Sequence, residues 1–218
     1  MQPTLVGETL LLRPLVRSDF EALYAVAADP LVWEQHPARD RWQLPVFTEL
    51  FERLLAGGGG LVVIERASGQ VIGSSSYYEF DADARSVVIG YTFLARRCWG
   101  GSVNTELKSL MLAHAFHQVD RVWFHVGTTN FRSQRAMLKV GALLSHQAVR
   151  ESGGVTSAFL HYFIDRPAGQ TPRISGLIAD DFASTVSSIG SISLPVSRRS
   201  SRRCCAMVRH SPATSPTS

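Results

Sequence analysis

Cysteine is scarce in this chain, with only Cys98, Cys204 and Cys205 in 218 residues. Two of the three are adjacent and the count is odd, which argues against a disulfide framework and leads us to expect a reducing, cytoplasmic setting. Long apolar runs are missing as well. The first candidate, Thr4 to Val16, is broken by Glu8 and Arg13. It therefore suits neither a signal-peptide core nor a spanning helix, and no membrane partner is expected. Most of the chain also lacks a basic footprint. Residues 1–166 carry 16 Lys+Arg against 16 Asp+Glu, while residues 167–218 carry six Arg against Asp180 and Asp181. The whole net charge of +4 thus sits at the end, and nucleic acid is not an expected partner of the first 166 residues. No internal repeat is visible. His114 and His117 lie three apart, with His125 further on, but no carboxylate or cysteine completes a familiar ligand set, so no metal is expected.

What is present reads as one domain and an appended segment. Apolar residues make up 45% and charged residues 18%, the balance of an ordinary globular core. Thr9 to Val16 is a strand that Pro14 ends, and Ser18 to Glu21 has the capping-box spacing of a helix running to about Ala28 and stopping before Pro30. Phe47, Leu50, Phe51, Leu54 and Leu55 recur at helical spacing over Pro45 to Ala56. Strands follow at 61–66 and 71–80 around a turn at Ala67 to Gln70, and again at 86–94. Ser102 to Gln118 is a helix, Arg121 to Gly127 a strand, and Asn130 to Val140 a helix closed by Gly141. Two late strands, Ala142 to Arg150 and Ser157 to Asp165, complete an α/β (α+β) order. Residues 167–218 hold twelve serines and five prolines without apolar periodicity, and we expect them to be a disordered tail beyond a domain at 1–166.

The chemically informative stretch joins the strand at 86–94 to the helix after it through Ala95 to Ser102. A glycine-containing turn at a helix start presents unpaired backbone N–H groups in front of the helix dipole, which suits a pyrophosphate. On the residues alone, a tight turn without a ligand explains the pattern equally well.

Arg97-Cys-Trp-Gly100-Gly-Ser102 resembles the pyrophosphate motif of the GNAT superfamily of N-acetyltransferases, Q/R-x-x-G-x-G/A, with Ser102 departing at the last position. Asp29-Pro30 with Trp33, the strand Ile89 to Leu94, Asn104, Lys108, and Asn130, Ser133, Ala136 and Gly141 follow in the order of that family. The likeness covers residues 4 to 165 and is closest to the branch holding the ribosomal-protein N-terminal acetyltransferases. It implies a mixed, largely antiparallel sheet whose two central parallel strands splay apart, flanked by helices. It implies acetyl-coenzyme A as co-substrate, without a metal, and a primary amine as acceptor, either a protein N-terminus or a small molecule. A second copy of the chain is a candidate partner.

By the same resemblance, the pantetheine arm adds to the splayed strand edges. Phe93 and Leu94 lie at the thioester, Arg96, Arg97, Trp99, Gly100, Gly101, Ser102, Val103 and Asn104 at the pyrophosphate, and Asn130 along the arm. Ser133 stands where relatives place a hydroxyl near the leaving sulfur, and a helix cap is its other reading. Where many relatives carry Glu two residues before the strand glycine, this chain has Val88. The base is then sought in Glu34, whose first reading is a solvated loop residue, or in Tyr91 or a water chain. Two further functions stay open. One is a non-catalytic acyl-coenzyme-A-binding module. The other is a nucleic-acid binder working through the arginines between Ser197 and Arg203. Cys98, beside Arg96 and Arg97, is a candidate low-pKa thiol or a bystander in the turn.

Overall fold

A computed structural model describes residues 2–152 and 155–168. The tail expected after 166, with its arginine cluster, lies almost wholly outside the described residues. Apolar alternation at the start yields β1 (Leu5–Val6) and β2 (Leu10–Pro14), paired antiparallel. The helix expected to start at Ser18 starts later. Asp19 holds the local backbone instead, because its carboxylate accepts the Val16 N–H at 2.9 Å and a fork from Arg13 at 2.6 and 2.8 Å. A bidentate arginine–carboxylate pair is stronger than a lone hydroxyl cap. One tight turn at Arg17–Asp19 leads into α1 (Phe20–Ala27). Pro30, expected only to stop a helix, opens the single-turn α2 (Pro30–Trp33), where its missing N–H is no loss and Asp29 accepts the Leu31 N–H at 3.0 Å. The amphipathic α3 spans Leu44–Ala56.

β3 (Gly60–Glu65), β4 (Val71–Asp81) and β5 (Ser86–Leu94) extend the sheet antiparallel. Then come α4 (Val103–Ala115), β6 (Arg121–Gly127), α5 (Phe131–Lys139), β7 (Leu143–Ser152) and β8 (Val155–Asp165). The eight strands lie in the order β1-β2-β3-β4-β5-β6-β8-β7, and β5–β6 is their parallel pair. This is the expected mixed, largely antiparallel sheet.

Period-two alternation sends neighbouring residues to opposite faces. Leu61 and Val63 join Leu10, Leu12, Leu107 and Met111 in one core with α4, while Val62 joins Leu23, Phe47 and Phe51 in a second core with α1 and α3. Each such side chain, once buried, contributes roughly 1.5–3 kcal/mol. Helices therefore cover both faces, and β5 and β6 are held in the middle of the sheet.

Candidate active site

β5 and β6 are hydrogen-bonded neighbours only at their starts, Ser86 to Val88 against Arg121 to Trp123. Beyond that the strands part. The register against β4 locates the cause. Ser74 opposes Phe93 and Ser76 opposes Gly90, so Tyr91 and Thr92 together face Ser75. This is a β-bulge, with Tyr91 at φ 51°, and a bulge bends its strand and re-aims side chains. A short polar chain fastens it: the Ser75 and Thr92 hydroxyls lie 2.8 Å apart, and the Lys108 ammonium donates to Thr92 at 2.7 Å. The parted strands, α4, α5 and the segment around α2 enclose a cleft of about 880 Å³.

At one end of the cleft lies the turn before α4. Gly100 has φ 78°, a left-handed conformation that suits glycine, and a Cβ added at Gly100 or Gly101 would meet nothing within 4 Å. The turn's backbone is open, as approach of a phosphate requires. Trp99, Gly100, Gly101 and Asn104 line the cleft there. Arg96, Arg97, Ser102 and Val103 do not. Arg96 pairs with Asp29, Arg97 donates to Glu65 at 2.8 and 3.3 Å and to Gln70 at 3.2 Å, and Val103 packs on the core. On α5 three cations line the same cleft, Arg132, Arg135 and Lys139, and Arg132 reaches the turn at Trp99. The Arg132 guanidinium stacks 3.8 Å from the Trp99 ring and donates to the Val32 carbonyl at 2.9 Å. Sequence reading missed all three, though their spacing along one helix with Ser133 and Ala136 was a usable signal.

Phe93, Leu94, Tyr91, Asn130 and Ser133 all line the cleft. The Ala95 N–H donates to Ile72 at 2.8 Å, so by antiparallel alternation the N–H of Phe93 also turns toward β4 while that of Leu94 turns toward the gap. Asn130 begins α5, its side chain accepting the Ser133 N–H at 3.1 Å. Asn130 is thus the cap, not Ser133, and the half-buried Ser133 hydroxyl makes no hydrogen bond among the described residues. Glu34 is exposed and outside the lining, and its charge acts on Arg132. Val88 is buried. Glu79, which the sequence reading passed over, is the carboxylate among the described lining residues.

Lys108 was noted only as a motif position. In the structure it forms the cleft floor, fully buried, with Thr92 as hydrogen-bond partner and the Phe124 ring 5.6 Å away, and burial pushes its pKa down to about 7. Cys98 is also buried, which raises its pKa despite Arg97 nearby, so it is no thiolate. His114 lies against Tyr77, His117 is exposed and His125 meets the Tyr78 hydroxyl. Among the described residues no group of three His, Cys, Asp or Glu side chains is arranged to hold a metal, and no helix is long and apolar enough to cross a membrane.

An open sheet flanked on both faces by helices, parting at its one parallel pair beside a glycine turn, defines an α/β acetyltransferase. The chain belongs to the acetyltransferase (GNAT) domain family, which it matches over residues 9–143. Acetyl transfer is that family's general reaction. Solved structures share the fold. A putative acetyltransferase from T. thermophilus is 26% identical with a TM-score of 0.62, over 76% of this chain and 90% of its own. A putative ribosomal-protein-serine acetyltransferase from Vibrio cholerae is 18% identical with a TM-score of 0.63, over 76% and 100%. RimJ of Mycobacterium smegmatis, in complex with CoA-disulfide, is 19% identical with a TM-score of 0.58, over 75% and 85%. No curated protein matches.

Proposed function

We propose that this protein transfers the acetyl group of acetyl-coenzyme A to a primary amine, preferentially an α-amine. The observation that carries this is one cleft that joins an open glycine turn, the unpaired edges of two parting strands and an unbonded serine hydroxyl. The residues fit the coenzyme. The Gly100–Gly101 backbone and the cations of α5 would hold its phosphates, and the edges of β5 and β6 with Asn130 would hold the pantetheine arm. When bound, the coenzyme supplies an activated acyl carbon and a thiolate leaving group.

The chain's own residues do the rest. The Leu94 N–H donates toward the carbonyl oxygen as negative charge develops on it. The Ser133 hydroxyl gives its proton to the departing sulfur as the C–S bond breaks and the C–N bond forms, and solvent restores that proton. The proton lost by the amine leaves through water beside Tyr91, because Val88 offers no carboxylate on β5 and Glu34 stands outside the cleft, and Glu79 on the lining is the acidic group that such water can reach. The domain spans residues 1–166 and works as a catalyst rather than as a passive coenzyme binder.

The acceptor preference follows from the absence of a carboxylate at Val88 on β5, with Glu79 the one acidic side chain among the described lining residues. A lysine-type amine with pKa about 10.4 is neutral in only about one molecule in 2,500 at pH 7, whereas an α-amine at about 7.7–8.0 is roughly a tenth to a sixth neutral. Without a strong base that difference, about 3 kcal/mol, stays in the rate. Thiol release from acetyl-coenzyme A should therefore be faster with a free-N-terminus peptide than with the N-blocked, lysine-bearing peptide, by roughly 10²-fold in kcat/KM. Preference for the lysine peptide with a flat pH profile to neutrality would refute the α-amine assignment. Absence of turnover with every amine would refute catalysis.

A further inference from the structure

The cleft wall formed by the segment between α2 and α3 carries two facing hydrogen-bond donors, neither of which can accept from the other. His36 and Arg41 lie in the segment between α2 and α3, and both line the cleft. The Ala38 backbone N–H donates to His36 Nδ1 at 2.9 Å. A neutral imidazole carries one proton, so with Nδ1 accepting, that proton is on Nε2. Nε2 lies 3.3 Å from Arg41 Nη1, and a guanidinium has donors only. The pair therefore does not satisfy itself. Burial, with the charge of Arg41 adding to it, pushes the His36 pKa down to about 3, the direction that favours a neutral ring. Burial and the like charge of Arg53 pull Arg41 down to about 10, which leaves it charged at neutral pH.

Arg41 makes no ion pair among the described residues. Asp40 beside it is exposed and not bonded to it. The guanidinium is otherwise framed by aromatic rings, Trp33 at 5.6 Å and Tyr91 at 5.9 Å. Tyr91 belongs to the bulge of β5, three residues before Leu94 on the same strand. A half-buried cation with no ion pair among the described residues, beside an imidazole N–H on the same wall of the cleft, suits the two oxygens of a carboxylate.

We infer that His36 Nε2–H and the Arg41 guanidinium form a carboxylate-binding subsite, so that the preferred acceptor is an amine carrying a carboxylate close to it. The inference rests on the acetyltransferase reading of the cleft and names its substrate class. Two sources share this chemistry, a free amino acid and a peptide whose first residue is acidic.

Calorimetry on the full chain, with and without coenzyme A, separates them and does not depend on turnover. The probes are product-side ligands: N-acetylalanine, its carboxamide, and an N-acetyl-aspartyl peptide amide beside its asparaginyl counterpart. At least one acid should bind about 10-fold or more tighter than its amide partner. Arg41→Met should level that pair and Arg41→Lys should restore part of the difference, with coenzyme A affinity as the control for folding. N-acetylalanine as the favoured probe means a free amino acid, and the aspartyl peptide means an acidic N-terminus. Equal binding of acid and amide in the unmodified chain, which needs no variant, would overturn the subsite. So would a difference that survives in a folded Arg41→Met protein. Failure of acetyl transfer alongside a persisting acid preference would instead sink the catalytic reading and leave the subsite standing.

Discussion

Lys108 is buried with one hydroxyl partner and no carboxylate bonded to it, so its ammonium keeps little of what water gave it. Its folded pKa, about 7, lies below the unfolded value near 10.5. Between those values the unfolded chain binds more protons, so this group's contribution to stability rises with pH across the window and is least favourable below pH 7. Lys108→Met keeps the length and removes the charge. It should stabilise the fold by on the order of 3 kcal/mol at pH 6 and by much less at pH 10, read by urea denaturation at both pH values. An equal gain at the two pH values would show that ionisation is not the cause. Ser133 makes the opposite case, a residue with little structural duty. Because Asn130 is the cap, Ser133→Ala should leave stability within about 0.5 kcal/mol yet lower kcat by roughly 10²-fold at unchanged acetyl-coenzyme A affinity. An unchanged kcat across the pH range would remove its acid role. Asn130, Ser133 and the glycines were legible as a spaced pattern. Lys108, His36 and Arg41 were not read as site residues, because their chemistry comes from burial and from neighbours distant in sequence, Thr92 for Lys108 and Tyr91 for Arg41.

At the level of elements, β5 and β6 were placed at their observed limits from alternation and β-branched content, and α3 came within one residue from its apolar stripe. The errors sit where side chains override local patterns. Ser18 does not start α1, because the Asp19 carboxylate, held by Arg13 on β2 and by the Val16 N–H, fixes a tight turn first, and no window on the helix alone contains that pairing. The bulge at Tyr91 leaves no mark on hydrophobic alternation either, since it is a matter of register against β4. The turn before α4 is the element whose role is most directly testable. Gly100 has room for a side chain but needs a left-handed backbone, and it lies where phosphates would approach. Gly100→Glu adds strain of about 1–2 kcal/mol and a negative charge facing the ligand, so it should lower acetyl-coenzyme A affinity at least 100-fold while the protein still melts cooperatively. Near-native affinity in that folded variant would mean that the α5 cations, and not the turn, hold the phosphates.

For the whole molecule, the charge count from sequence and the last described contacts bear on the same boundary. Part of the balanced charge of residues 1–166 goes into cross-element pairs such as Arg17 with Glu52, Arg85 with Asp120 and Arg121 with Asp165, which solvent screens because they are exposed. These exposed pairs fasten little, so the fold rests on the two apolar clusters, both complete before residue 166. Arg166 is a different kind of residue. Its backbone N–H donates to the Asp120 carbonyl at 2.8 Å, and its half-buried guanidinium meets the Asp120 carboxylate at 2.6 Å, which ties the end of β8 to the start of β6. The position of the cut should therefore matter by a single residue. A chain ending after Arg166 should melt cooperatively within a few degrees of the full protein and bind acetyl-coenzyme A with the same affinity, since everything that lines the cleft precedes it. Removing Arg166 as well deletes the backbone bond and the ion pair together. It should cost about 1–2 kcal/mol, a drop in Tm of roughly 2–8 °C, without changing coenzyme affinity. Loss of cooperative melting in the chain that retains Arg166 would show that residues beyond it complete the core and that the boundary at 166 is misplaced.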